Sequence, residues 1–126
     1  DAFNNLSYEQ QVSKEVAGIN NIMNTIMKDL KETKYIIIDV RFNGGGQDIV
    51  SLEILRYFNS KRKQIALIKA MHNDIYSKKT SRFLESSQNP YTKPVYLLTS
   101  QQSASATDML ALASMEIPQL KRIGSH

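Results

Sequence analysis

The chain has 126 residues, 41% hydrophobic and 22% charged, which is ordinary globular usage and excludes a disordered or low-complexity polymer. Sixteen Lys and Arg against twelve Asp and Glu leave a net charge of +4, too mild and too scattered for a nucleic-acid stripe. With no Cys there is no disulfide framework, thiolate metal site or thiol nucleophile, and no apolar run reaches the roughly 18 residues of a membrane span.

The size predicts a single α/β domain over residues 1–126, with an N-terminal helix in 1–33 and a motif-bearing core in 34–126. Asp1 in place of an initiating Met, with no signal-peptide pattern, leads us to expect a piece of a longer protein. Ser7-Tyr8-Glu9-Gln10 fits a capping box. Behind it Val12, Val16, Ile19, Met23, Ile26 and Leu30 recur at helical spacing, so a long amphipathic helix is expected over about 8–32. Tyr35 to Val40 is a continuous β-branched run, which predicts a strand buried on both faces of a parallel sheet. Asp48 is expected to cap a second helix with Ile49, Leu52, Leu55, Tyr57 and Phe58 as its apolar face. Lys61-Arg62-Lys63 reads as a solvated turn before a second strand over 65–70. Residues 72–93 read as polar and irregular. A third strand over 94–99, a helix over about 105–116 and a strand starting at Leu120 complete the pattern. Helices alternating with strands predict α/β layering on a mostly parallel sheet, with ligands beyond the carboxyl ends of its strands.

Two strand-to-helix segments fit that position. Arg41-Phe42-Asn43-Gly44-Gly45-Gly46 has glycines that open backbone geometries closed to other residues. Neither phosphate-loop pattern, G-x-G-x-x-G or G-x-x-x-x-G-K-[ST], is present, so a nucleotide cradle is disfavoured. An oxyanion hole and a plain flexible turn both remain open. Ser100 to Asp108 carries small residues at a helix start, where a serine hydroxyl stands exposed beside backbone N–H groups. Ser105-Ala106-Thr107-Asp108 equally matches a capping box, the commoner use of such a serine. His72 and His126 are the only imidazoles, and the surface loop around His72 argues against a catalytic base there. No metal site and no cofactor are expected.

Taken as an ordered pair about sixty residues apart, Asp39-Val40-Arg41-Phe42-Asn43-Gly44-Gly45-Gly46 and Ser103-Ala104-Ser105-Ala106-Thr107-Asp108 resemble the C-terminal processing (tail-specific) serine peptidases. Tricorn-core and interphotoreceptor retinoid-binding proteins are their relatives. The resemblance spans roughly residues 34–126. It implies a crotonase-like (ClpP/crotonase) layered fold, truncated in this chain, and a polypeptide substrate. It implies Ser105 as nucleophile and the N–H groups of Gly45 and Ala106 as the oxyanion hole. Asp39, Arg41, Asn43, Gly44 and Gly46 would shape the loop. In one branch a Lys about 25 residues after the nucleophile serves as neutral base. That position falls past His126, and in the tricorn branch the base is a His from an earlier segment. The resemblance therefore implies a serine-peptidase parent, an extracytoplasmic location and a fragment without its general base. A non-catalytic binding module of the same fold is the alternative, and an acyl-thioester enzyme of crotonase type a weaker third. Oligomerisation is left open.

Overall fold

The computed structural model describes residues 6–124. In chain order the elements are α1 (Tyr8–Leu30), β1 (Ile36–Asp39), α2 (Asp48–Arg56), β2 (Lys63–Ile68), β3 (Met71–His72), β4 (Ile75–Tyr76), β5 (Thr80–Leu84), β6 (Val95–Thr99), α3 (Ala106–Ser114) and β7 (Leu120–Gly124).

The expected capping box opens α1. Gln10 N–H donates to Ser7 Oγ at 3.3 Å, and Ser7 N–H donates to Gln10 Oε1 at 2.9 Å. The helix is held by a narrow seam: Met23 alone is buried, while Tyr57 Oη donates to Asn20 Oδ1 at 2.8 Å or to Asn24 Oδ1 at 2.9 Å. Helix α2 starts one residue differently from expectation. Gln47, not Asp48, is its N-cap, and Asp48 lies in the first turn, where a carboxylate meets free helix N–H groups.

β1, β6 and β7 form a parallel sheet in the order β1-β6-β7, with Ile36 opposite Val95 and Val95 opposite Leu120. Helices cover one face of it. Ile36, Val95, Leu97 and Leu120 pack there with Leu55, Leu110, Ala113 and Ile117. The expectation that the first strand is buried on both faces is corrected: Ile37 is 55% exposed, and Tyr35 and Ile123 are exposed as well. Among the described residues no helix lies on that side. The β-branched run signalled a strand correctly but not the coverage of its second face.

The second strand is not part of the parallel sheet. β2 pairs antiparallel with β5, from Lys63 opposite Leu84 to Ile68 opposite Thr80. β5 lies in the segment read as irregular, because Thr80-Ser81-Arg82-Phe83-Leu84 buries only Leu84 fully and shows little alternation. A short β3–β4 hairpin turns at Asn73 and Asp74, both at positive φ. Its His72 is exposed and touches Asn73. Two of the basic triplet are paired locally, Arg62 with Glu85 at 2.9 Å and Lys63 with Glu116 at 3.0 Å. Buried Asn59 ties the end of α2 to the exit of β5, donating from Nδ2 to Lys61 O at 2.6 Å and Glu85 O at 2.9 Å. Among the described residues no helix is long and apolar enough to cross a membrane.

Candidate active site

β1 and β6 are neighbours and run in the same direction, so their carboxyl ends lie side by side. The glycine loop leaves one and the serine segment leaves the other. Their meeting is thus a consequence of sheet topology.

Hydrogen bonds lace the two loops together. Ser103 Oγ donates to Val40 O at 2.8 Å, and Ser100 Oγ donates to Arg41 O. Ala104 N–H donates to Asn43 O at 3.2 Å. Thr107 Oγ1 stands 2.9 Å from Asn43 Oδ1 and 3.2 Å from Asn43 O, and Thr107 is buried. Asn43 Oδ1 also accepts the Gly45 N–H at 2.9 Å. Asn43 is therefore the knot of the loop, bonded to its own glycine turn and to the start of α3.

Asp39 and Arg41 lie at the outer edge. Arg41 Nη2 reaches Asp39 Oδ2 at 2.7 Å, and Arg41 N–H donates to Asp39 Oδ1 at 3.1 Å. These side-chain and backbone bonds hold the Asp39 carboxyl below its ordinary range, and the side-chain bond and charge of Asp39 hold the Arg41 guanidinium above its own. The pair closes the turn that delivers Asn43.

Ser105 does not behave as a helix cap. It occupies the N-cap position of α3, yet its hydroxyl makes no cap bond, and Asp108 N–H goes to the Ser105 carbonyl at 2.8 Å. The capping box expected over 105–108 is thus not formed. Its backbone explains why: φ is 59° and ψ is −119°, a conformation that L-residues avoid and that functional turns hold. The side chain is exposed at the apex of a strand-to-helix turn. Ala106, the first residue of α3, is 1% exposed, and no acceptor for its N–H is found among the described residues.

Gly45 packs directly against this serine. A Cβ at Gly45 would stand 2.7 Å from Ser105 Cβ, 2.9 Å from Ala104 O and 3.1 Å from Ser105 Oγ. Its φ of +116° is closed to side chains as well. Gly46 is also at positive φ, whereas a Cβ at Gly44 would meet nothing within 4 Å. So of the three glycines, Gly45 is the one that contact with Ser105 requires. Its N–H, however, is engaged by Asn43, so in this conformation it is not free for an oxyanion.

Ser105 opens on a groove of about 930 Å³. Tyr8, Val12 and Val16 of α1, Leu52 of α2, Phe83 of β5 and Gly46 contribute to its walls. Tyr8 Oη donates to Gln47 Oε1 at 3.0 Å and so fixes one rim. Apart from Gly46, sequence reasoning placed none of these groove residues at the site, since α1 and β5 carry no motif. No Lys or His is among the described residues lining it. His72 belongs to the remote hairpin pocket, and His126 lies outside the described residues. No group of three or more His, Cys, Asp or Glu able to hold a metal occurs among the described residues.

The sequence matches the family model described as Peptidase family S41 over residues 4–126. The chain belongs to peptidase family S41. Two solved structures resemble this S41 chain. One, a presumed peptidase from Parabacteroides merdae ATCC 43184, is 27% identical with a TM-score of 0.70, covering 82% of this chain and 34% of its own. The other, a photosystem II D1 C-terminal processing protease, is 19% identical with a TM-score of 0.57, covering 87% of this chain and 27% of its own, and supports the fold alone. The chain thus spans between about a quarter and a third of the length of these structures. No curated protein matches the sequence.

Proposed function

We propose that this S41 chain carries the nucleophile-bearing part of a serine endopeptidase acting on polypeptides. One observation carries the reading: Ser105 is exposed at positive φ with an uncapped hydroxyl, packed against Gly45 at the mouth of a groove. Ser105 Oγ attacks the scissile carbonyl and loses its proton to a base, giving a tetrahedral oxyanion. Collapse expels the amine, which takes that proton, and water then releases the acyl group. The Ala106 N–H, at the start of α3, faces the developing charge. The Gly45 N–H joins it by exchanging Asn43 Oδ1 for the oxyanion. Asp39, Arg41, Asn43 and Gly46 shape the loop around that donor. No Lys or His lines the groove among the described residues, so the general base comes from outside them. We also assign the crotonase-type layering and an extracytoplasmic parent, both on the family resemblance.

The absence of Lys and His from the described groove lining favours a second reading, a peptide-binding module without chemistry. Casein hydrolysis by the full-length protein, with and without Ser105→Ala, separates the two. Loss of hydrolysis on substitution supports the peptidase. Equal hydrolysis in both removes Ser105 as nucleophile, and no hydrolysis in either favours the module.

A further inference from the structure

Resting on the reading of the groove as a peptide site, we propose that Arg82 determines specificity by taking a carboxylate of the bound peptide. Arg82 is the only cation among the described residues lining the groove. The groove's acids are already provided for. Glu53 is held by Arg56 at 2.6 Å and Glu85 by Arg62 at 2.9 Å. Glu9 and Asp48 stand in the first turns of α1 and α2, where free N–H groups favour a carboxylate.

Arg82 differs from these neighbours. Arg41, Arg56 and Arg62 each hold a carboxylate, whereas among the described residues no hydrogen bond, ion pair or ring contact holds the Arg82 side chain, whose backbone pairs in β5. It is half-buried, and its guanidinium carries five donors. Strand alternation puts it on the same face of β5 as Leu84, which is fully buried. From that strand Arg82 contributes to the lining of the groove. A planar fork with unspent donors suits a carboxylate, which it can bind through two parallel hydrogen bonds. On a peptide that carboxylate is either an Asp or Glu side chain or the free C-terminus.

The test is fluorescence anisotropy with the full-length protein carrying Ser105→Ala, so that bound peptide persists. The probes are fluorescein-labelled decapeptides with one Glu moved through the positions, their Gln counterparts, and each peptide as C-terminal acid and amide. Binding of the carboxylate form is expected to be about tenfold tighter than that of its neutral counterpart. Arg82→Gln should reduce that preference to less than about twofold, and Arg82→Lys should keep part of it. The Glu series and the acid–amide pairs tell side chain from C-terminus. Equal binding of charged and neutral peptides, a preference that survives Arg82→Gln, or no binding at all overturns the proposal. Failure of the peptidase reading shows separately, as casein hydrolysis insensitive to Ser105→Ala.

Discussion

Replacing Gly45 by Ala tests the contact on which the site depends. The new methyl would lie 2.7 Å from Ser105 Cβ and 2.9 Å from a backbone oxygen, neither of which is the yielding end of a side chain. Overpacking of this kind costs about 1–3 kcal/mol. The backbone adds its own penalty, since φ at Gly45 is +116°, and holding an L-residue in such a region costs of order 1–3 kcal/mol. The two together come to about 2–6 kcal/mol if the loop stays in place. Part of that is relieved if the loop swings out, but the relief separates Gly45 from Ser105. Gly44→Ala is the control, because a Cβ there meets nothing within 4 Å. Two measurements are paired: thermal melting, and labelling of Ser105 by a fluorophosphonate in the full-length protein. Gly45→Ala should lower Tm by roughly 8 °C or more, at about 4 °C per kcal/mol, or keep Tm and lose labelling through loop displacement. Gly44→Ala should do neither. If the two variants match in both Tm and labelling, Gly45 is not the contact that sets the site.

Ser105→Gly should stabilise the chain by about 0.5–1 kcal/mol in urea unfolding, since it relieves a positive φ and removes no cap bond; a loss of about 1 kcal/mol would restore the capping interpretation. Thr107→Val keeps the shape but deletes the hydroxyl that bonds Asn43, and should cost about 1–2 kcal/mol in the same assay. Asn59→Ala leaves the Lys61 and Glu85 carbonyls without their buried donor and should cost about 2–3 kcal/mol. The Asp39 pKa is depressed by Arg41, so its stabilisation is full above the ordinary value of 3.8 and disappears as pH falls through the lower folded-state value. Asp39→Asn should therefore flatten the acid limb of a stability-versus-pH curve; an unchanged limb would mean that the pair contributes nothing there.

Residues with a strong local signature were legible in the sequence. Ser7 and Gln10 announce the start of α1, and Ile36 to Asp39 and Val95 to Thr99 form strands where their β-branched and apolar runs lie. The two loops that carry the candidate site were also legible, because glycine and small hydroxyl residues have few other uses at strand ends. What depends on partners far along the chain was not. Thr80 to Leu84 pairs with β2 although its residues are mostly polar, since backbone pairing needs no side-chain signal. Ser105 looked like a cap because its sequence neighbours fit one; only Asn43, Ala104 and Thr107 together force the turn that withdraws its hydroxyl from that role. The Gly45 N–H shows the same effect, claimed by an Asn43 side chain that local spacing does not reveal.

The lacing of the two loops also bears on when reactivity can arise. Ser103 bonds Val40, and Thr107 bonds Asn43, across more than sixty residues of chain. Contacts of such sequence separation form late and only with most of the loop-closure entropy already spent. The turn at Ser105 is tied to the first loop through Ala104 and Thr107, so it is completed only with the pairing of β1 with β6. A nascent or partly unfolded chain therefore carries an ordinary, relaxed serine. On the peptidase reading, the order of folding then acts as a safety catch, presenting the Ser105 hydroxyl in its turn only once the sheet is assembled.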